Sequence, residues 1–390
     1  MIVYKTDQYD LFRCTAADCP YTCCARWNIE IDEKTDRYYQ TLDTEFGRFL
    51  NESIDRSSGR SLIKLDKNGC CPLLSPEGLC RVQMELGAAG LSNLCRDYPR
   101  LVFVEGGFVT QVTSSACVEV ARELLTHEEP LRLLRADIDL PEAEAELSDT
   151  VESERGPLLE RALQTSVRLL QDEKLDIGRR QRLFLLFHQA LRETLRSDGT
   201  ARTEALLAVF SDPAQYRGLL LGKDESPFEL STKVRIFKEL CDVLMVQEAS
   251  IETAVLFNYV LNYLLSIEND AAAQKQVREY FARLDTGKHA REQENVLVDR
   301  LLKGGYLGKA FDGDVYLQAA YIVVYNQLLR VFSAFGSARK GALLPVDRRA
   351  RYLSAISKGF EHNGTARKRF QAKLRGDGLL ELPFLLRLIS

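Results

Sequence analysis

Phe12-Arg-Cys-Thr-Ala-Ala-Asp-Cys-Pro-Tyr-Thr-Cys-Cys-Ala-Arg-Trp-Asn-Ile-Glu-Ile-Asp32 places four cysteines, Cys14, Cys19, Cys23 and Cys24, within 21 residues. A second set follows as Cys71, Cys80, Cys95 and Cys117. Thiolates this dense can hold a soft metal ion or an iron cluster once a fold gathers them. The two remaining cysteines read as structural: Cys70 has Cys71 beside it as the better ligand, and Cys241 falls on the apolar face of a predicted helix. Cysteine is therefore concentrated at one end, which separates a cofactor-bearing head from a body of another kind.

The chain has 390 residues, 45% apolar and 28% charged, the composition of a globular protein with room for two or three domains. A chain of this size has no need of disulfides to compensate for a small core. It opens Met1-Ile2-Val3-Tyr4-Lys5 without an apolar secretory stretch, so reduced thiols and a cytoplasmic location are expected. Pairing of the cysteines as disulfides is the alternative. The most apolar run, Val315 to Leu329, is interrupted by Gln318, Asn326 and Gln327, and no membrane span is expected. A net charge of −4 gives no overall attraction to nucleic acid, but the charge is unevenly placed. Asp137 to Glu154 holds eight acids and no base, whereas Arg339 to Arg375 holds eleven bases against Asp347 and Glu361.

Spacing then divides the chain. Tyr38, Tyr39, Leu42, Phe46, Phe49, Leu50 and Ile54 predict a helix within Asp32 to Asp55. Ser61 to Leu65 and Cys71 to Leu74 flank the turn-forming Asp66-Lys67-Asn68-Gly69, which predicts a hairpin delivering Cys71. A second hairpin is predicted from Leu101 to Val104 and Phe108 to Val112, after which Cys117 opens a helix. The acidic stretch bounded by Pro141 and Pro157 reads as a linker. Beyond it, Leu158–Leu170, Gln181–Leu195, Phe228–Met245, Ile251–Leu265, Ala271–Leu284, Val315–Phe332, Arg348–Phe360 and Ala366–Leu374 carry helical spacing. The expected fold is mainly α: a cysteine-rich head with short β-hairpins over residues 1–136, a linker over 137–157 and an all-helical body over 158–390.

Four thiolates can surround one zinc ion or cap one cubane cluster, so eight permit two centres. Zinc knuckles use paired C-x2-C, whereas the spacings here are x4, x3 and zero, then x8, x14 and x21, which favours an iron–sulfur cluster over zinc. A radical S-adenosylmethionine cluster uses C-x3-C-x2-C. Cys24 directly follows Cys19-x3-Cys23 and breaks that pattern. Neither G-x-G-x-x-G nor a P-loop is present.

In order, Phe12-x-Cys14-x4-Cys19-x3-Cys23-Cys24-x2-Trp27-x-Ile29-x-Ile31-Asp32, Cys71-Pro72-Leu73-Leu74, Gly78-Leu79-Cys80, Leu91-Ser92-x2-Cys95-Arg96-x-Tyr98-Pro99-Arg100 and Ser115-x-Cys117-x-Glu119 resemble the head of the flagellin lysine N-methylase family. Looser likeness continues at Leu256-Phe257-Asn258-Tyr259-x-Leu261-x-Tyr263 and Ser357-x3-Glu361-His362. Leu73 stands where the family would have an aromatic. The resemblance implies a metal or iron–sulfur head and methyl transfer from S-adenosylmethionine to lysine amines of flagellin in the cytoplasm. No S-adenosylmethionine motif is readable. The alternative is an iron–sulfur or zinc redox or interaction protein, including a helical scaffold with a structural zinc head, without methyl transfer.

Methyl transfer needs a neutral lysine, whose free pKa is about 10.4, so a desolvated pocket with a proton acceptor is required. His362, next to Glu361, is the candidate acceptor offered by the C-terminal likeness. His127, His188 and His289 have no supporting context. The bases of Arg339 to Arg375 could hold a carboxylate or an acidic protein face. Tyr352, Phe360 and Phe370 among them sit at core spacing rather than as a stacking platform, which argues against nucleic acid.

Overall fold

A computed structural model describes residues 2–19, 21–25, 27–105, 108–137, 156–197, 200–220, 229–245, 251–303, 311–360 and 364–390. Seven strands occur in these segments: β1 (Ile2–Thr6), β2 (Glu30–Ile31), β3 (Ile54–Asp55), β4 (Ser61–Ile63), β5 (Arg100–Glu105), β6 (Phe108–Thr113) and β7 (Leu133–Asp137). They form a four-stranded sheet in the order β5-β6-β1-β7 and a three-stranded sheet in the order β2-β4-β3. β5 and β6 pair antiparallel, with Leu101 opposite Val112, as the second predicted hairpin requires. β1 lies parallel to β6 and antiparallel to β7. The chain between β1 and β5 is thus one long excursion that leaves the sheet and returns to it.

That excursion holds a small hydrophobic core of Ile29, Ile31, Tyr39, Leu50, Ile54, Ile63, Leu73 and Val82. The single helix predicted over Asp32 to Asp55 is two helices, Glu33–Gln40 and Glu45–Glu52, followed by β3. Each has its own N-cap, Asp32 accepting from Thr35 N and Thr44 from Gly47 N, and these caps divide the periodic run. Close approach of the second helix to the end of the first requires glycine at 47, because a Cβ there would stand 2.4 Å from the Leu42 carbonyl oxygen. The first predicted hairpin is also corrected. Asp66–Gly69 does turn, with Gly69 N donating to Asp66 O and Gly69 at φ +75°. β4, however, pairs with β2 and β3, which places Ile63 in the small core. Cys70 bridges to Ala25 instead, and Cys71 N donates to Cys24 O at 2.8 Å.

From Gly156 onward the described residues are helical apart from turns and connections, in line with the mainly α expectation. All eight predicted helices are present, seven with bounds within a few residues and the one predicted over Val315–Phe332 running on to Lys340, and Thr200–Ser211, Pro213–Gly218, Gly287–Leu302 and Leu382–Ile389 are additional. Val315–Lys340 runs through the middle, every residue from Val315 to Phe335 being buried. A helix enclosed on all sides need not be amphipathic. Two polar residues that interrupt its apolar run are met by glutamines of neighbouring helices: Asn326 donates to Gln293, and Gln327 to Gln181 at 3.0 Å. No described helix is long and apolar enough to cross a membrane.

The large core takes in Tyr4, Phe12, Val112, Val120 and Leu124 as well as residues from Leu158 to Ile389, so the four-stranded sheet and the Val118–Thr126 helix pack with the helical body. The acidic segment falls on residues 138–155, outside the described residues.

Candidate functional site

The cysteine-rich excursion starts and ends beside the sheet, where Arg100 ties both ends down by donating to Tyr9 O at 3.2 Å and Phe12 O at 2.9 Å. Within it the two sequence sets of cysteines interleave. Cys23 and Cys24 have their sulfurs 3.9 Å apart, and the neighbouring Cys24 thiol, followed by desolvation, raises the Cys23 pKa strongly. Burial pushes the Cys71 thiol up to about 12, with repulsion from Cys80, Cys95 and Cys23. Desolvation raises Cys95 too, although the residue keeps solvent contact, with further repulsion from Cys80 and Cys23. Cys117 is pushed up to about 12 by burial, and feels Cys23 and Cys19. Cys23, from the first sequence set, thus lies within electrostatic reach of Cys71, Cys95 and Cys117 from the second.

Local structure explains these placements. Cys80 and Cys117 occupy the N-cap positions of the Arg81–Leu86 and Val118–Thr126 helices. Cys95 N donates to Ser92 Oγ, the N-cap of its own short helix. Trp27 Nε1 donates to Cys23 O at 2.6 Å, and its ring lies 5.5 Å from that of Tyr98. Cys14 is exposed, its sulfur accepting from Ala16 N at 3.4 Å. Cys241 is buried in the large core, as its structural reading required. Among the described residues no three Cys, His, Asp or Glu side chains stand together as ready metal ligands. The donor set fits a thiophilic cation in kind, since crowded thiols that raise one another's pKa are relieved by positive charge.

The Val346–Phe360 helix bridges this face to the body. Arg351 stacks over the Tyr21 ring at 4.9 Å, and the Lys358 charge is felt by Cys23. Ser354 Oγ donates to Ala116 O at 2.7 Å, and Ser357 Oγ lies 3.2 Å from Ser115 Oγ. Two family-like stretches far apart in sequence, around Ser115 and around Ser357, therefore touch. Sequence reasoning missed the residues beneath them: Lys303 donates to Ser115 Oγ at 2.7 Å and pairs with Asp299, and Tyr325 OH bonds Ser357 Oγ. Charged residues within the apolar register of a helix are the signal that marks such positions.

His362 and Glu361 lie outside the described residues. Of the other histidines, His188 is fully buried, its Nδ1 is 2.8 Å from Phe184 O, and burial lowers it to about 4. His289 Nδ1 lies 3.0 Å from Glu292, which pairs with the buried Arg349. Several cations of the basic stretch are engaged within the chain: Arg349 with Glu292, Lys373 with Glu239, Arg375 with Asp312, and Arg339 over Tyr259.

No solved structure matches this one. The chain is 33% identical over 128 residues to the lysine-N-methylases of Salmonella typhimurium and Salmonella choleraesuis, a match covering 31% of this chain and 32% of theirs. It therefore spans about a third of the length of those curated relatives. It is 32% identical over 128 residues to the flagellar biosynthetic protein FliU of Salmonella muenchen, covering 31% of this chain and 76% of that protein. Residues 164–388 match the model of the FliB lysine N-methylase C-terminal domain, and with more than half of its length accounted for in this way, the chain belongs to the flagellin lysine N-methylase family.

Proposed function

We propose that this protein is a cytoplasmic, S-adenosylmethionine-dependent lysine N-methyltransferase that acts on flagellin and carries a thiolate-held centre, an iron–sulfur cluster or zinc, on its cysteine face. Family membership is the observation that carries methyl transfer, with support from the lysine-N-methylase names of its relatives. The name of FliU, a flagellar biosynthetic protein, supports a flagellar substrate. The electrostatic coupling of Cys23 to Cys71, Cys95 and Cys117 supports the centre, with Cys14, Cys23 and Cys95 exposed to solvent. When bound, such a centre supplies the positive charge that lets several thiolates coexist.

The chain's own residues frame that face. Trp27 and Tyr98 cover its Cys23 side, and Arg351 and Lys358 add fixed positive charge from the body. A substrate lysine delivered there would be disfavoured as an ammonium by the nearby cations, which promotes the neutral, nucleophilic amine. His362 is the proposed proton acceptor.

The test is intact-mass analysis of flagellin incubated with this protein and S-adenosylmethionine. Mass gains in methyl increments are expected. No gain while the centre is intact would sink the methyltransferase reading and leave a metal-binding redox or interaction protein. Visible absorption that bleaches on reduction identifies iron–sulfur, and a colourless zinc-bearing protein identifies zinc.

A further inference from the structure

We propose that the buried Lys303–Asp299 pair is a positioning device for the cysteine face: through Ser115 it sets the Ser114–Cys117 turn and so holds Cys117, and behind it Cys23, in place. Both ionic residues are almost wholly inaccessible, at 5% and 2% exposure, and both belong to the body, Asp299 within the Gly287–Leu302 helix and Lys303 at its C-cap. A buried ion pair placed only for stability is weak, because desolvating two charges offsets most of their attraction. This pair has a directional use instead. Lys303 Nζ lies 2.5 Å from Asp299 and donates to Ser115 Oγ at 2.7 Å. Ser115 is held from its other side by Ser357 Oγ at 3.2 Å, and Ser357 in turn is bonded by the Tyr325 hydroxyl. The Arg300 guanidinium lies 4.2 Å over the Tyr325 ring, which fixes that ring in the same layer.

The turn held in this way leads in two directions. Forward, Cys117 N donates to Ser114 O at 3.1 Å, and Cys117 caps the Val118–Thr126 helix, so the turn sets the direction of its thiol. Backward, Ser114 N donates to Pro99 O at 2.6 Å, next to Tyr98, whose ring packs on Trp27, which in turn bonds Cys23 O. Hydrogen bonds and the single Tyr98–Trp27 ring contact make up the path, which joins three segments: 98–117, 299–303 and 23–27. The named contacts of the side chains at 115, 299, 303, 325 and 357 run to one another and to the turn, so the role assigned to them is positional.

The inference rests on the functional reading above only where metal is concerned, so the test reads thiols rather than activity. Full-length reduced protein is treated with iodoacetamide and alkylation is followed residue by residue by mass spectrometry. The double variant Lys303→Met/Asp299→Leu removes both charges and strands neither. Cys117 is expected to alkylate several-fold faster than in the unaltered protein, with Cys241, buried in the large core, unchanged. Lys303→Arg, which keeps the charge and a donor, is expected to bring the Cys117 rate back toward the original. Equal Cys117 rates in folded double variant and parent overturn the proposal. So does a parallel rise at Cys117 and Cys241, which signals general loosening. If the double variant fails to fold, Ser115→Ala decides the matter: it leaves the ion pair in place and cuts the link, and an unchanged Cys117 rate then overturns the proposal. Metal content measured on the same samples separates the two readings, because a protein that never binds metal fails the functional reading alone while the alkylation result still stands.

Discussion

The small core in the cysteine-rich excursion and the large core of the body are built on opposite terms. The first has eight buried apolar side chains beneath strands of two and three residues. The second is threaded by the Val315–Lys340 helix, whose Phe332 ring meets Phe237, Phe257 and Tyr352. The body is held by packing over a long enclosed helix. A region with so few buried apolar groups needs a staple, and its cysteines are the groups available to provide one. Packing holds one region, and under the proposed function ligation would hold the other.

Substitutions at four kinds of position break or sharpen that division. The largest effect is expected from Phe332→Ala, which empties the aromatic centre of the body at a cost of roughly 3–5 kcal/mol, read as a drop in the main thermal transition. Cys23→Ala or Cys95→Ala should remove bound metal and make the excursion several-fold more susceptible to proteolysis, while the main transition moves little, and Cys241→Ala should retain the metal. Equal behaviour of all three would erase the distinction between ligand and structural cysteines.

Lys233 tests the body by pH. Burial lowers its amine from 10.5 to about 7, although Nζ donates to Leu388 O at 3.0 Å. The unfolded chain binds this proton up to a pH of about 10.4 and the folded chain only below about 7, so between these values stability rises with pH. Lys233→Met should flatten the slope and, near neutral pH, stabilise the body by on the order of a few kcal/mol, checked by denaturation at several pH values. The smallest effect is expected from Arg351→Ala, which removes the stacking on Tyr21 between the two regions. It should cost about 0.5–1 kcal/mol, with little change in the main transition.

The sequence showed the body more clearly than the head, for reasons visible in single elements. Ala271–Leu284 was legible to the residue because an exposed face and a buried face alternate along it. Gly287–Leu302 was not, because His289, Glu292, Glu294, Asp299 and Arg300 are all buried, and internal ion pairs erase the amphipathic pattern. β1 escaped notice because its partners are residues 108–113 and 133–137, and such pairing leaves no local trace. The cysteine inventory could be read directly from the chain. Its grouping could not, since Cys23 associates with Cys71 and Cys95 through folding rather than spacing. Nor could Lys303 and Tyr325 be assigned, because only the meeting of Ser115 and Ser357 gives them a role.

The placement of β1 between β6 and β7 also bears on how the protein is made. Residues 2–6 are made before both of their neighbours, which follow about a hundred residues or more later, and the core that encloses them draws on side chains as far along the chain as Ile389. Contacts of such long range form slowly and leave strand edges open during synthesis. The cysteine-rich excursion between β1 and β5 is therefore made before the helices against which its flanking sheet packs, and the setting of that region waits on helices far along the chain.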